Sequence, residues 1–290
     1  NLNIRLIIKL AKPEDVMPQI IKDHNVERIY FQKEWTQEER TVEDNVRVSL
    51  QEQAVDFKSY YDQFLFHPAD VPYKSSDDIP KVFTNFRKKV EKQSKVRETL
   101  EKPEALPKEN LLSTVYQVPN LNDLGLEDFE QDKRTAFPFK GGETQAKKRM
   151  QDYHWVTKNL AQYKKTRNGL IGVDYSSKYS AWLANGSLSA RQIYWDVKAF
   201  EKAETSNSST YWMIFELLWR DFFKYISLKH GDAIFQITGI LNKGYDWKSN
   251  DKALNEWING NTKYDFVNAN MLEIKHTGWM SNRGRQNVAS

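Results

Sequence analysis

The 290-residue sequence contains no cysteine. That absence excludes disulfides, thiolate nucleophiles and Cys-ligated zinc, and it fits a reducing compartment such as the cytoplasm. Also missing is any apolar run approaching the ~20 residues needed to cross a bilayer. The nearest candidate, residues 4–10, is interrupted by Arg5 and Lys9, so neither a membrane span nor a signal peptide is expected. Histidine is sparse: His24, His67, His154, His230 and His276 are scattered without ligand spacing, and no metal site is expected. Internal repeats and low-complexity segments are absent too. What remains is an ordinary balance of apolar and charged residues in a chain long enough for two domains.

Charge is unevenly placed. Residues 1–145 hold 22 Lys+Arg against 26 Asp+Glu and residues 146–290 hold 21 against 13, so a half of charge −4 precedes a half of +8. The basic half also carries most of the tryptophans. Cations attract phosphates and aromatic faces stack bases, so this half invites a polyanionic partner. A solvated charged surface is the plainer alternative.

Along the chain, residues 4–10 have strand character. Pro13 opens a helix reaching about His24, at a position where its missing N–H leaves nothing unpaired. A strand at 28–31, a polar helix at 37–54 and a strand at 63–66, ended by His67-Pro68, complete a strand–helix alternation. Such alternation predicts a parallel, Rossmann-like α/β sheet, here of three strands and partial. A basic helix at 82–95 follows, with Phe83 and Phe86 on one face, and then a connector at 101–142 rich in Pro, Asn, Asp and Glu. Beyond it the pattern is helical, at 144–163, 181–183, 189–203, 210–229, 251–259 and from 265 to the end. The predicted organisation is a partial α/β domain at 1–75, an interdomain connector at 76–142 and an all-α domain at 143–290. Asn1 in place of methionine, and an end at Ser290 in apparent mid-helix, give both ends a cut look.

Three clusters carry chemistry. Ser176, Ser177 and Ser180, with Lys178 among them, form a hydroxyl-rich loop running into an amphipathic helical segment. Hydroxyls, a cation and unpaired backbone N–H groups suit a phosphorylated cofactor. Glu216, Trp219 and Arg220 sit at i, i+3 and i+4 and share a helix face. Together they would grip a flat heterocycle with hydrogen-bonding edges; the alternative is an intrahelical Glu216–Arg220 pair with Trp219 in the core. Asn282, Arg283 and Arg285 crowd around Gly284, which reads as interrupting a helix, either for close approach to a ligand or for tight helix packing.

These segments, in this order, resemble the DNA photolyase and cryptochrome family. The resemblance rests on Tyr163 with Arg167, on Ser176-Ser-Lys-Tyr-Ser180, on Glu216-Leu-Leu-Trp-Arg220 and on Gly278-Trp-Met-Ser-Asn-Arg-Gly-Arg285, and it spans nearly the whole chain. Tyr163-Lys-Lys-Thr-Arg-Asn-Gly169, Ser208-Ser-Thr-Tyr-Trp212 and Gln286 look like the DASH branch, which carries glutamine where many dimer photolyases carry methionine.

The resemblance implies an α/β N-terminal part joined to an all-α FAD-binding domain of photolyase type. It implies that Tyr163, Ser176, Ser177, Lys178, Tyr179, Ser180, Arg220 and Arg285 bind FAD, with Arg285 beside the isoalloxazine ring. Glu216, Trp219, Asn282 and Arg283 would face a flipped pyrimidine dimer, and Arg167 and Gln286 would join Glu216, Trp219 and Arg283 in contacting DNA. Trp247 would be the outermost of three relay tryptophans, and Glu34 would contact a 5,10-methenyltetrahydrofolate antenna. It further implies that the first half of the antenna domain, and the part of the FAD domain holding the inner relay tryptophans, lie outside this sequence. The leading expectation is therefore a monomeric, blue-light-driven, FAD-dependent lyase acting on cyclobutane pyrimidine dimers, preferably in single-stranded DNA. A blue-light receptor that signals without repair is the alternative, and a nucleic-acid-binding module without a cofactor is a third.

Overall fold

Pro13 starts helix α1 (Pro13–His24), with Glu14 and Asp15 in its first turn and Lys22 and His24 in its last, matching the helix dipole. The computed structural model describes residues 2–289, apart from the side chain of Asn110. Strand β1 (Arg28–Gln32) follows, then α2 (Gln37–Ser49), which packs on α1, and strand β2 (Asp56–Tyr60). The two strands pair in parallel, Arg28 opposite Asp56 and Gln32 opposite Tyr60. Arg28 Nε donates to Asp56 at 2.9 Å across the pair, and the Tyr30 and Tyr60 rings stack on an exposed face.

The α/β alternation is present, but two of the three expected strands are not where the pattern put them. Residues 4–10 form no strand: Leu6 and Leu10 are exposed, and the segment instead bonds to the connector, with Leu106 N–H donating to Leu2 O at 3.0 Å and Arg5 Nε to Leu112 O at 3.1 Å. The second strand is 56–60 rather than 63–66, and the helix expected to reach residue 54 ends at Ser49. Segment 63–66 is apolar because it is core, but its backbone groups are claimed by side chains. Asp221 accepts the N–H groups of Leu65 and Phe66 at 2.9 and 2.8 Å, Arg220 donates to Gln63 O at 2.6 Å, and the Tyr225 hydroxyl donates to Phe66 O at 2.7 Å. Backbone groups so occupied cannot also form a ladder.

Helix α3 (Phe83–Gln93) buries Phe83, Phe86 and Val90. From residue 94 to 142 the only regular pieces are two short 3-10 turns, yet the end of this stretch is not free-running, because Phe137 and Phe139 pack on Trp182. The expected helix over 144–163 is instead α4 (Glu143–Gln151), a wider π-type turn at Asp152–Val156, a 3-10 turn and α5 (Tyr163–Thr166). The π-type turn lets the adjacent Tyr153 and His154 both bury completely.

Helices α6 (Ser180–Ala184), α7 (Ala190–Ala203) and α8 (Ser208–His230) follow. Asn207 caps α8, its Oδ1 accepting from Ser209 N and Thr210 N at 2.7 and 3.2 Å. Being apolar on most sides, α8 runs through the core and buries Met213, Ile214, Leu217, Leu218, Phe222 and Tyr225. After α9 (Asp251–Ile258), the helix expected from 265 to the end is two: α10 (Asp265–Thr277) and α11 (Asn282–Val288). Gly278, at φ +68°, closes α10, and Ser281 caps α11 by accepting from Gly284 N at 2.9 Å. Ser290, the last position of that expected helix, lies outside the described residues.

Asp221 is fully buried, and burial pushes its carboxyl up to about 7 against the opposing pull of the two amides, Arg220 and Lys224. Because the folded-state value lies above that of an unfolded aspartate, the native state holds the extra proton. The contribution is therefore fully present below about pH 4 and is lost as pH rises through about 7. Asp221→Asn should abolish that falling limb in urea-denaturation series run across this range. Asp221→Ala, which strands two buried amides, should lower unfolding stability by about 3 kcal/mol.

Candidate functional site

The hydroxyl loop is held from behind by Arg149 on α4, a residue that sequence reading missed. Its buried guanidinium meets Asp174 Oδ1 at 2.8 Å and Asp152 Oδ2 at 3.0 Å, and it donates to the carbonyls of Ser176 and Ser177 at 3.2 Å each. Its charge also faces the rings of Phe139 and Tyr153. The one sequence cue, Arg149 three residues before Asp152, is indistinguishable from a common surface pair.

Lys178 departs furthest from an ordinary loop residue. Its backbone is left-handed at φ +66°, an uncommon conformation for lysine, and its side chain is 3 % exposed. The ammonium lies 3.3 Å from the Tyr175 ring centroid and 4.7 Å from that of Trp279, with no hydrogen-bond partner among the described residues. Burial lowers it to about 7, against the pull of Glu273. An anion docking here would supply the missing partner and draw the group back up. Tyr179 contributes differently, since its hydroxyl bonds to His154 Nε2 at 3.0 Å, and His154 Nδ1 bonds to Asp196, so the phenol anchors the loop. The helix entered from this loop is a single five-residue turn, so its dipole adds little. The anion cradle therefore rests on Lys178 and on the loop's own hydroxyl and N–H groups.

The loop forms one wall of a cavity of about 520 Å³, within the range of small-molecule sites. The other walls bring in Tyr163 and Arg167, Glu216, Trp219 and Arg220 on α8, and Trp279, Met280, Asn282 and Arg285 around α11. Sequence segments more than a hundred residues apart thus converge on one space.

Within it, the intrahelical Glu216–Arg220 pair, one of the two alternatives, does not form. Arg220 is drawn to the carbonyls of Gln63 and Leu183 at 2.6 and 3.1 Å, while Glu216 pairs with Arg167 Nη2 at 2.7 Å. Burial raises the Glu216 carboxyl, and Arg167 opposes the rise. Trp219 is partly buried, packing face to face on Phe83 with centroids 3.7 Å apart at 13°, and it also lines the cavity.

Four expected site residues, Arg283, Gln286, Trp247 and Glu34, stand outside the cavity lining. Arg283 turns to Asn168 Oδ1 at 3.2 Å and to Gln286 Oε1 at 3.1 Å, and Trp247 is 65 % exposed in a loop beside Tyr245. Glu34 lines a second cavity, of about 500 Å³, with Ile29, Phe31, Val46 and Phe57. It accepts from Gln63 Nε2 at 3.3 Å and from Gln32. Gly284 is explained by helix packing: a Cβ there would lie 2.0 Å from Asn270 Oδ1 and 2.9 Å from Met280. It sits inside α11, and the helix break belongs to Gly278.

Among the described residues no group of three or more His, Asp or Glu could hold a metal ion, and no helix is long and apolar enough to cross a membrane. An elongated ligand with phosphates and a flat ring fits the donors present: an orphaned ammonium at one wall, and arginines, a carboxylate and aromatic faces at the others.

Comparison with known proteins agrees. The family model for DNA photolyase matches residues 1–108, and that for the FAD binding domain of DNA photolyase matches residues 212–290. Cryptochrome DASH of Xenopus laevis is 43% identical over 286 residues, covering 98% of this chain and 55% of the relative. That of Synechocystis sp. is 44% identical over 291 residues, covering 99% and 58%. The chain therefore spans little more than half the length of these relatives. The crystal structure of a Synechocystis sp. cryptochrome superposes with a TM-score of 0.93 at 43% identity, covering 99% of this chain and 59% of that one. A bacterial class III photolyase from Agrobacterium tumefaciens shares the fold, with a TM-score of 0.78 at 20% identity over 99% of this chain and 58% of its own.

Gly284→Ala should force α10 and α11 apart and cost about 2 kcal/mol in thermal unfolding. Arg149→Lys, which keeps the charge but loses the fork that spans both carbonyls, should make the 167–180 loop more susceptible to limited proteolysis while leaving far-ultraviolet circular dichroism unchanged.

Proposed function

Since this chain belongs to the DNA photolyase and cryptochrome family, we propose that its cavity binds FAD and serves the blue-light-driven splitting of cyclobutane pyrimidine dimers, with single-stranded DNA as the preferred substrate. The observation that carries this reading is the convergence of Lys178, Arg285, Glu216, Trp219 and Asn282 on one cavity. Bound there in reduced form, FAD would supply the single electron that is lent to the dimer and recovered once the two cyclobutane bonds have broken.

The chain's own residues bind and orient. Lys178 and the hydroxyls of Ser176, Ser177 and Ser180 would hold the cofactor phosphates, with Tyr163, Tyr179 and Arg220 shaping the pocket, while Arg285 would set a fixed positive charge beside the ring system. Trp219, fixed in plane by Phe83, would stack on the flipped dimer. Glu216 and Asn282 would hydrogen-bond the pyrimidine edges, and Arg167, Arg283 and Gln286 would meet the DNA around the cavity mouth. We place Trp247 at the outer end of an electron path, a role supported by its exposed indole. Glu34 in the second cavity is the proposed contact for a 5,10-methenyltetrahydrofolate antenna. The corresponding division is an antenna-type part at 1–75, a connector at 76–142 and a helical FAD-binding part at 143–290, acting as a monomer.

Illumination of the flavin-loaded protein with a dimer-bearing oligothymidylate should remove dimers in blue light and not in darkness. Glu216→Gln should slow this about tenfold, as expected for weakening one hydrogen bond to the reacting group. A flavin-bound protein that removes no dimer in light would overturn repair, and light-dependent partner binding in its place would support a receptor. FAD affinity should also fall as pH rises above about 7, because docking phosphates raise Lys178 and take up a proton; Lys178→Met should remove that slope in a fluorescence titration.

A further inference from the structure

Two residues read as substrate contacts are tied to each other. The family resemblance implies that Arg167, at the end of α5, meets the DNA backbone and that Glu216 on α8 meets a pyrimidine, yet Arg167 Nη2 lies 2.7 Å from Glu216 Oε1. Both side chains are only partly exposed, so the pair is shielded more than a surface ion pair. If the guanidinium moves to a phosphate, Glu216 loses the cation paired with it while staying in a confined site.

We propose that docking of single-stranded DNA exchanges the partner of Arg167 from Glu216 to a backbone phosphodiester, and that the released Glu216 carboxylate takes up one proton from solvent. This rests on reading the cavity as a nucleic-acid lesion site. The balance is simple. Arg167 stays charged throughout, one ion pair is replaced by another, and one proton moves from water to Glu216 with no redox change. The resulting neutral carboxyl can donate a hydrogen bond to a pyrimidine carbonyl oxygen, which an ionised carboxylate cannot.

The groups facing Glu216 support the direction. From the α5 side come Arg167 and the Tyr163 phenol; on its own helix Arg220 is one turn away but engaged with two carbonyls; Lys178, Lys224 and Arg285 lie on the remaining walls. Burial already raises the carboxyl, and Arg167 is the cation that restrains it. The exchange therefore strengthens DNA binding as pH falls. Affinity drops by up to about tenfold per pH unit as pH rises above the value in the free protein, and levels off once pH passes the raised value in the complex.

Two measurements decide it. In the free protein, the carbonyl stretch of a protonated carboxyl, identified by its loss in Glu216→Gln, should appear at higher pH in Arg167→Ala than in wild type, and Arg167→Lys should restore the wild-type midpoint. An unchanged midpoint in Arg167→Ala would overturn the proposal without reference to DNA. Calorimetric titration of the flavin-loaded wild-type protein with oligothymidylate, in buffers of different ionisation enthalpy near pH 7, should show uptake of part of a proton that is absent in Glu216→Gln. Binding without proton uptake, or with equal uptake in Glu216→Gln, would overturn the exchange and leave the DNA-binding reading standing. Failure of the oligonucleotide to bind would remove both.

Discussion

The carboxylate of Asp221, buried in the middle of α8 and accepting the N–H groups of Leu65 and Phe66, is the constraint from which the rest of the arrangement follows. It fastens the longest helix to a segment more than 150 residues earlier, and Tyr225 and Arg220 reinforce the same seam. With Asp221 fixed, its neighbour Arg220 reaches the carbonyls of Gln63 and Leu183 and cannot turn to Glu216. Glu216, one turn back and on the cavity side, is left to Arg167. A structural bond at one position of the helix thus decides the electrostatic partner of a functional group five residues away.

A second ordering device works on the opposite wall. Arg149 gathers two carbonyls and two carboxylates, and the loop it shapes carries Lys178 into the space between Tyr175 and Trp279. Trp279 also stacks on Phe137, so the corner between α10 and α11 rests on the end of the connector. Burial holds the Lys178 ammonium near neutral pH in its ionisation, because aromatic faces and the carboxylates of Glu273 and Asp174 compensate it only in part. That is an unsatisfied arrangement of the kind a ligand completes.

What the sequence made legible was chemistry at fixed spacing. Glu216, Trp219 and Arg220 share a helix face because 3.6 residues make a turn, and the hydroxyl run at Ser176 to Ser180 needs no tertiary information to be read as an anion site. The illegible parts were set by long-range contacts. Residues 63–66 look like a strand because apolar runs bury in many ways, and only the distant Asp221 reveals why their amides are not in a ladder. Strand β2 is hard to read because Ser59 breaks the alternation that Asp56, Phe57 and Lys58 begin, leaving too short an apolar pattern. Arg149 was invisible because its partners lie 25 to 28 residues downstream in an irregular loop. The break before α11 lies at Gly278, whose left-handed backbone is set by the turn, and not at Gly284, which a helix interior accommodates.

The contact between Gly284 and Asn270 also bears on how this chain can vary. With the amide of Asn270 filling the space a side chain at 284 would need, the two positions are not independent. A methyl group at 284 becomes tolerable only once the residue at 270 shrinks, and Asn270 in turn holds the carbonyl of Phe266 within α10. Fourteen residues apart in the chain, they are coupled, and the order of the two steps matters: shrinking 270 first leaves a small void, whereas enlarging 284 first meets a collision.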